Sequence, residues 1–362
     1  MVEVSDIFAA HMDDYRQSRR LGPVENKAVC SILACRTSAL GAHIDRCDSC
    51  GHEKISYNSC RNRHCPKCQS FAKEVWIDKQ KQNLVSTQYF HVVFTVPTEL
   101  QSALLRHQTA LYNLLFKATA ETVIELCADR KYLGAKPGIT AVLHTWGQSL
   151  NYHPHIHMLV TGGGLTACGK WQASRKKFFL PVRVLSKKFR GKFLYLLSRE
   201  KLSENFNTLI RKLRGKDWIV YCKPPFGNAG KVVEYLGRYT HRVAISNNRI
   251  IQLEGGRVFF RFRDYADGNQ TKIMTLSAHE FIRRFLLHVL PAGFRKIRHY
   301  GIFASRDKTM RLKLCRRLTG TKQTIQSIST MDRLISLFGA DFNLCPCCKN
   351  GHMARAPPSS GN

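Results

Sequence analysis

The run His153-Pro154-His155-Ile156-His157-Met158-Leu159-Val160 constrains this chain more than any other segment. It reads as a β-strand. Alternate side chains of a strand share a face, so the Cα atoms of His155 and His157 stand roughly 7 Å apart on one side of a sheet. That spacing lets two imidazoles converge on one metal ion. Ile139 to Trp146 reads as a neighbouring strand, and the short connection predicts that the two pair antiparallel. Gly162-Gly163-Gly164 is expected to close the histidine strand, and Pro154 to disturb its start.

Around this pair the pattern alternates between sheet and helix. Residues 1–29 look helical and polar, and a charged helix is expected over 71–85. Tyr89 to Val96 is a buried strand ended by Pro97, and residues 98–131 carry leucines at helical spacing (Leu104, Leu111, Leu114, Leu115). Trp218 to Cys222 forms a fourth strand, stopped by Pro224-Pro225. A helix is expected over 230–240, a β-meander over 243–276, and basic helices over 277–340. The order predicts an α+β fold: a mainly antiparallel sheet flanked by helices, preceded by a small zinc-ribbon-like domain. The divisions drawn are 1–85 (helix and zinc binding), 86–276 (metal and tyrosine core) and 277–362 (basic, helical, with a degenerate cysteine knuckle).

Fourteen cysteines suggest a disulfide framework until their positions are read. Seven fall between Cys30 and Cys68 and three between Cys345 and Cys348, and pairs of the form Cys-x-x-Cys favour zinc. Cys47 and Cys50 form one knuckle and Cys65 and Cys68 another, 14 residues on. Two knuckles complete a tetrahedral four-thiolate Zn²⁺ site. Cys35, His43, Cys60 and His64 make a candidate second zinc site. Cys345-Pro346-Cys347-Cys348 is a compressed knuckle whose missing partners include Cys315 and His352. Arg61, Arg63 and Lys67 would surround the ligands with positive charge, which suits DNA docking.

His155 and His157 need a third ligand. His144, ending the adjacent strand, is the first choice; Gln148 and His153 compete. Three neutral imidazoles leave coordination positions where a phosphate oxygen can be polarised. Farther on, Tyr235-Leu236-Gly237-Arg238-Tyr239 spaces two phenols four apart, about 6 Å along the axis of one helix face. Such a pair often belongs to a core stripe. Arg238, His241 and Arg242 give this one a basic setting instead, suited to a phenol that meets a phosphate.

The charge agrees. Fifty-seven Lys and Arg against 25 Asp and Glu leave a net +32, which implies a polyanionic partner, nucleic acid first. With no long uncharged apolar stretch and no basic leader, the expectation is a cytoplasmic, nucleoid-associated protein with no membrane partner and an unassigned oligomeric state.

Four segments together resemble the two-tyrosine rolling-circle transposases of the HUH endonuclease superfamily, in the insertion-sequence family with an N-terminal zinc-binding domain. They are Cys60 to Gln69, His144 to Gln148, His153 to Gly164, and Tyr235 to Arg242, in order along nearly the whole chain. The resemblance implies a bacterial enzyme that nicks and rejoins single-stranded DNA at element ends and target. Tyr235 and Tyr239 would be its nucleophiles, forming a 5′-phosphotyrosine, with Mg²⁺ or Mn²⁺ on His155 and His157. A plasmid replication initiator or relaxase would share this chemistry. A non-catalytic zinc-ribbon regulator would explain the charge and the cysteines but leave the histidines and tyrosines idle.

Overall fold

Strands whose residues are apolar on both faces must be covered on both, and the central sheet is built from such strands. The computed structural model describes residues 2–175, 179–223, 230, 233–234, 237, 240, 244–264, 267–322, 329, 332, 335, 339, 341 and 343–356. Among these, a hairpin of β1 (Ala42–Cys47) and β2 (Glu53–Tyr57) precedes the helix Pro66–Lys81. The central sheet then takes β3 (Tyr89–Thr95), β4 (Lys136–Trp146), β5 (Tyr152–Leu165), β6 (Trp171–Ala173) and β7 (Val220–Lys223). A meander of β8 (Ile250–Glu254), β9 (Arg257–Asp264) and β10 (Gln270–Ser277) follows, then β11 (Ile297–Gly301) and β12 (Met353–Arg355).

The central sheet runs β11-β4-β5-β3-β7, with β6 paired to β5, and its pairings are antiparallel. One face sends Phe90, Val92, Phe94, Leu143, Ile156, Met158 and Val160 into a core shared with the helices Gln108–Ala128 and Val182–Arg199. The opposite face is set by register. His144 pairs with His155, Val142 and Val93 both pair with His157, and Thr95 pairs with His155. Farther along that face, Leu159 packs with Ile77, Val233, Ile302 and Phe303.

Two features of β5 differ from the sequence reading. Pro154 does not interrupt the strand: a register shift between His144 and Trp146 sets His153 and Pro154 against Thr145 alone, so the residue without an N–H sits at a bulge. The three glycines do not close the strand either. It continues to Leu165, and the missing side chains allow close approach. A Cβ on Gly162 would lie 2.2 Å from Gln88 Cγ, and one on Gly164 would lie 2.5 Å from the Lys136 carbonyl oxygen.

A second core crosses the drawn divisions. Val4, Ile7, Phe8, Met12 and Tyr15 line one face of the helix Val4–Ser18 at helical spacing, so the segment read as polar is amphipathic. They pack with Phe260 of the meander and with Phe281, Ile282 and Phe285 of the helix Ala278–Leu286; Phe8 and Phe285 meet edge to face at 5.3 Å. The region read as wholly helical beyond 277 contains β11, which extends the central sheet at β4. β12 pairs with β1, returning the end of the chain to the first hairpin.

Candidate metal centre

Register alone brings His144 and His155 opposite each other, and β5 periodicity puts His157 beside them. The ligand atoms of all three lie within 4.8 Å of one another, and all three rings are buried. His144 Nδ1 and His155 Nε2 are 2.9 Å apart. The His155 Nδ1–H donates to the His153 carbonyl at 2.5 Å, which leaves Nε2 for the shared space. His157 Nδ1 is engaged at 2.8 Å by Nε2 of His91, whose ring stacks on it with centroids 5.1 Å apart. His91 was not singled out in the sequence. With Thr95 it is one of two buried polar residues in a largely apolar strand, and it fixes which nitrogen His157 presents.

Electrostatics keep these rings neutral. Burial pushes His155 down to about 3 and His91 to about 4, and it depresses His144 and His157 strongly as well. Neutral imidazole is the form that binds a metal. The spacing fits too: cis ligands of an octahedral ion at about 2.1 Å stand about 3 Å apart. His153, weighed as third ligand, is outside the cluster, and the backbone carbonyl of Gln148 accepts from Arg249. Tyr235, Tyr239, Arg238 and Arg242 lie outside the described residues. Their described neighbours pack on the sheet's histidine side: Val233 joins the Leu159 cluster, and a Cβ on Gly237 would meet Ile77 Cδ1 at 2.4 Å.

The four cysteines expected to share one ion are divided between two clusters. Cys65 and Cys68 join Cys35 and Cys60, whereas Cys47 and Cys50 join Cys345 and Cys348. The physical reason is the β1–β2 hairpin, which starts after Cys35 and carries the Cys47 knuckle away from the Cys60–Cys68 loop while β12 brings the last knuckle to it. His43 and His64 belong to neither cluster. His43 sits 3.7 Å from Asp45, and His64 is buried, its Nε2 accepting from the Leu290 N–H at 3.1 Å. Arg63, expected on a DNA-facing rim, turns inward and donates to the Phe294 carbonyl at 2.6 Å. Lys67 pairs with Glu3, and Arg61 is exposed.

Arg63 and His64 thus fasten the first thiolate cluster to residues 290–294, just before β11. In the same stretch Lys296 is buried, and desolvation, then Arg63, pushes its ammonium down to about 7. An antiparallel sheet gathering three buried imidazoles, locked to a four-thiolate zinc-binding module, defines a metal-dependent, nuclease-like enzyme. No helix among the described residues is long and apolar enough to cross a membrane.

Comparison with known proteins gives the class its family. Residues 7–96 match the family described as "Transposase zinc-binding domain", and residues 138–310 match "Putative transposase". The chain is 45% identical to the "Putative transposase y4qJ" of Sinorhizobium fredii (strain NBRC 101917 / NGR234), over 97% of this chain and 94% of that protein. It is 32% identical to the "Transposase for insertion sequence element IS801" of Pseudomonas savastanoi pv. phaseolicola, over 79% of this chain and 72% of that one. No solved structure matches it. The chain belongs to the rolling-circle insertion-sequence transposases with an N-terminal zinc-binding domain.

Proposed function

We propose that this transposase nicks and rejoins single-stranded DNA through a 5′-phosphotyrosine, with Tyr235 and Tyr239 as nucleophiles and His144, His155 and His157 as the holders of a divalent cation. The observation that carries the reading is the set of three imidazoles on the sheet face against which Val233 and Gly237, the neighbours of Tyr235, are packed. A phenol oxygen attacks phosphorus in line with the leaving oxygen. The bond to phosphorus forms as the P–O3′ bond breaks, the phenolic proton departs, and the 3′ oxygen is released as a hydroxyl. A second tyrosine permits a second cleavage before the first strand is rejoined.

When bound, Mg²⁺ or Mn²⁺ would polarise the scissile phosphate and offset charge gathering on its oxygens. An all-imidazole donor set favours Mn²⁺ of the two, since Mg²⁺ prefers oxygen ligands. His91 orients His157, and the His153 carbonyl orients His155, so both rings are held before DNA arrives. The excess of Lys and Arg supplies the attraction for the phosphate backbone. The setting would be the bacterial cytoplasm.

The test is formation of a denaturation-resistant protein–DNA adduct on labelled single-stranded DNA from the element's ends, with Mn²⁺ or Mg²⁺. The adduct should vanish in Tyr235→Phe/Tyr239→Phe. In His155→Ala/His157→Ala it should fall by about a thousandfold or more. A plasmid-type initiator would form the adduct on origin DNA and not on element ends. A non-catalytic regulator would bind DNA and form none.

A further inference from the structure

We propose that Cys47, Cys50, Cys345 and Cys348 hold a second structural zinc ion, one that clasps the C-terminal segment onto the N-terminal hairpin. Cys345 and Cys348 lie outside both matched segments, 7–96 and 138–310. The inference is independent of the DNA chemistry proposed above.

Geometry carries it. Cys47 and Cys348 sulfurs are 3.7 Å apart and Cys50 and Cys345 sulfurs 3.6 Å apart, with all four within 4.8 Å of one another. A disulfide would need about 2.05 Å. Four thiolates at about 2.3 Å from a tetrahedral zinc ion stand about 3.8 Å apart. The Cys35, Cys60, Cys65 and Cys68 cluster has the same size, with Cys35–Cys68 and Cys60–Cys68 both at 3.6 Å.

Each knuckle is also shaped for thiolate. The N–H groups of Ser49 and Cys50 point at Cys47 Sγ at 3.4 and 3.5 Å. Those of Cys347 and Gly351 point at the sulfurs of Cys345 and Cys348 at 3.4 and 3.3 Å. Donors aimed at sulfur stabilise its anionic form, the form a metal binds. The two halves are pressed together by backbone: a Cβ on Gly351 would lie 2.5 Å from Cys47 Sγ, and Asp48 accepts from the His352 N–H at 2.8 Å. β12 then pairs with β1 through Asp45–Arg355, Arg46–Ala354 and Cys47–Met353. A three-residue edge strand is too short to hold itself in place, and a zinc ion beside it supplies what the pairing lacks.

The experiment counts zinc in the purified full-length protein. About two ions per chain are expected, falling to about one in Cys345→Ser/Cys348→Ser and staying at about two in Cys347→Ser. Co²⁺ exchanged for zinc should show thiolate charge-transfer absorption of two sites in the parent and one in the double variant. A reading that needs no variant is peptide-mapped alkylation by iodoacetamide. Cys345 and Cys348 should be protected in the native protein and exposed by a chelator, whereas Cys347 should react in both. One zinc per chain, unprotected Cys345 and Cys348, or a disulfide between the knuckles would each overturn the assignment.

Discussion

The histidine centre and the cysteine clusters assemble similar ligand sets by opposite routes. His144, His155 and His157 come from two strands joined by a short connection, so strand periodicity and antiparallel register suffice to bring them together. Cys47 meets Cys348 across 301 positions, after the chain has completed the whole central sheet. Local pairing fixes the first through the sheet itself; long-range pairing makes the second a fastening between distant segments. Predictions about stability should therefore separate the two thiolate clusters, and predictions about activity should concentrate on the histidines.

The largest expected effect lies in the first cluster. Cys65 is 1% exposed and packs in the core containing Phe8, Phe260 and Phe285, while Cys348 belongs to none of the three cores. Cys65→Ser should lower the melting temperature by on the order of 10 °C, through lost metal and a disrupted core. Cys348→Ser should lower it by only about a third of that, since the clasp secures a peripheral strand. Scanning calorimetry decides, and equal losses would erase the distinction between a core site and a fastening.

Next comes His91. Removing the group that orients a metal-binding histidine typically costs about 10- to 100-fold in metal affinity or activity. His91→Ala should therefore raise the Mn²⁺ concentration needed for adduct formation by that factor, with the adduct recovered at saturating Mn²⁺. His91→Gln, which can still accept a hydrogen bond, should recover part of the affinity. A variant whose loss Mn²⁺ does not relieve would mean that His91 serves only the packing of β3.

Smaller again is the acid sensitivity of the joint between the modules. Burial, together with Arg63 and Lys296, pushes His64 down to about 3, and burial pushes His288 down to about 4. Unfolded imidazoles take up protons below about 6.5 that the folded ones refuse. These groups therefore leave stability intact above that pH and erode it as the pH falls from about 6.5 toward 4. His288 accepts from Thr145 and donates to the Leu150 carbonyl. His288→Gln should flatten the fall in urea midpoint between pH 7 and pH 5. Comparison with the parent at each pH separates this from proton-driven loss of zinc. An unchanged slope would show that His288 does not contribute.

The same contrast explains what could be read from residues alone. The fold class and the histidine strand were legible because alternation and a short connection are local signals. The α+β layout with its antiparallel sheet follows from them. His91 was not, since one histidine in an apolar strand looks like a satisfied core residue until its partner is known. β11 was missed because Ile297-Arg298-His299-Tyr300-Gly301 carries no clear alternation; it is a strand only because β4 offers it an edge. The cysteine grouping went astray for a related reason. Knuckles adjacent in sequence look like partners, and nothing within residues 30–70 tells that a strand from residue 353 will displace one of them. The paired tyrosines rest on helical spacing and resemblance alone, and they lie outside the described residues.

The smallest effect sharpens the comparison within the zinc module itself. Arg61 and Arg63 are two residues apart, yet one is exposed and the other donates inward to Phe294. Of these two, Arg61 is the one exposed to meet a phosphate, and Arg63 is the one that, with His64, joins the module to residues 290–294. Arg61→Ala should leave the melting temperature unchanged and reduce the salt dependence of single-stranded DNA binding by about one unit of log–log slope. Arg63→Ala should do the reverse, lowering the melting temperature because the buried Phe294 carbonyl loses its donor, with the salt slope unmoved. Fluorescence anisotropy over a salt series, run beside thermal melts, gives both readings. If the two variants behaved alike, charge alone would govern the module, and its inward docking on the central sheet would count for nothing in DNA binding.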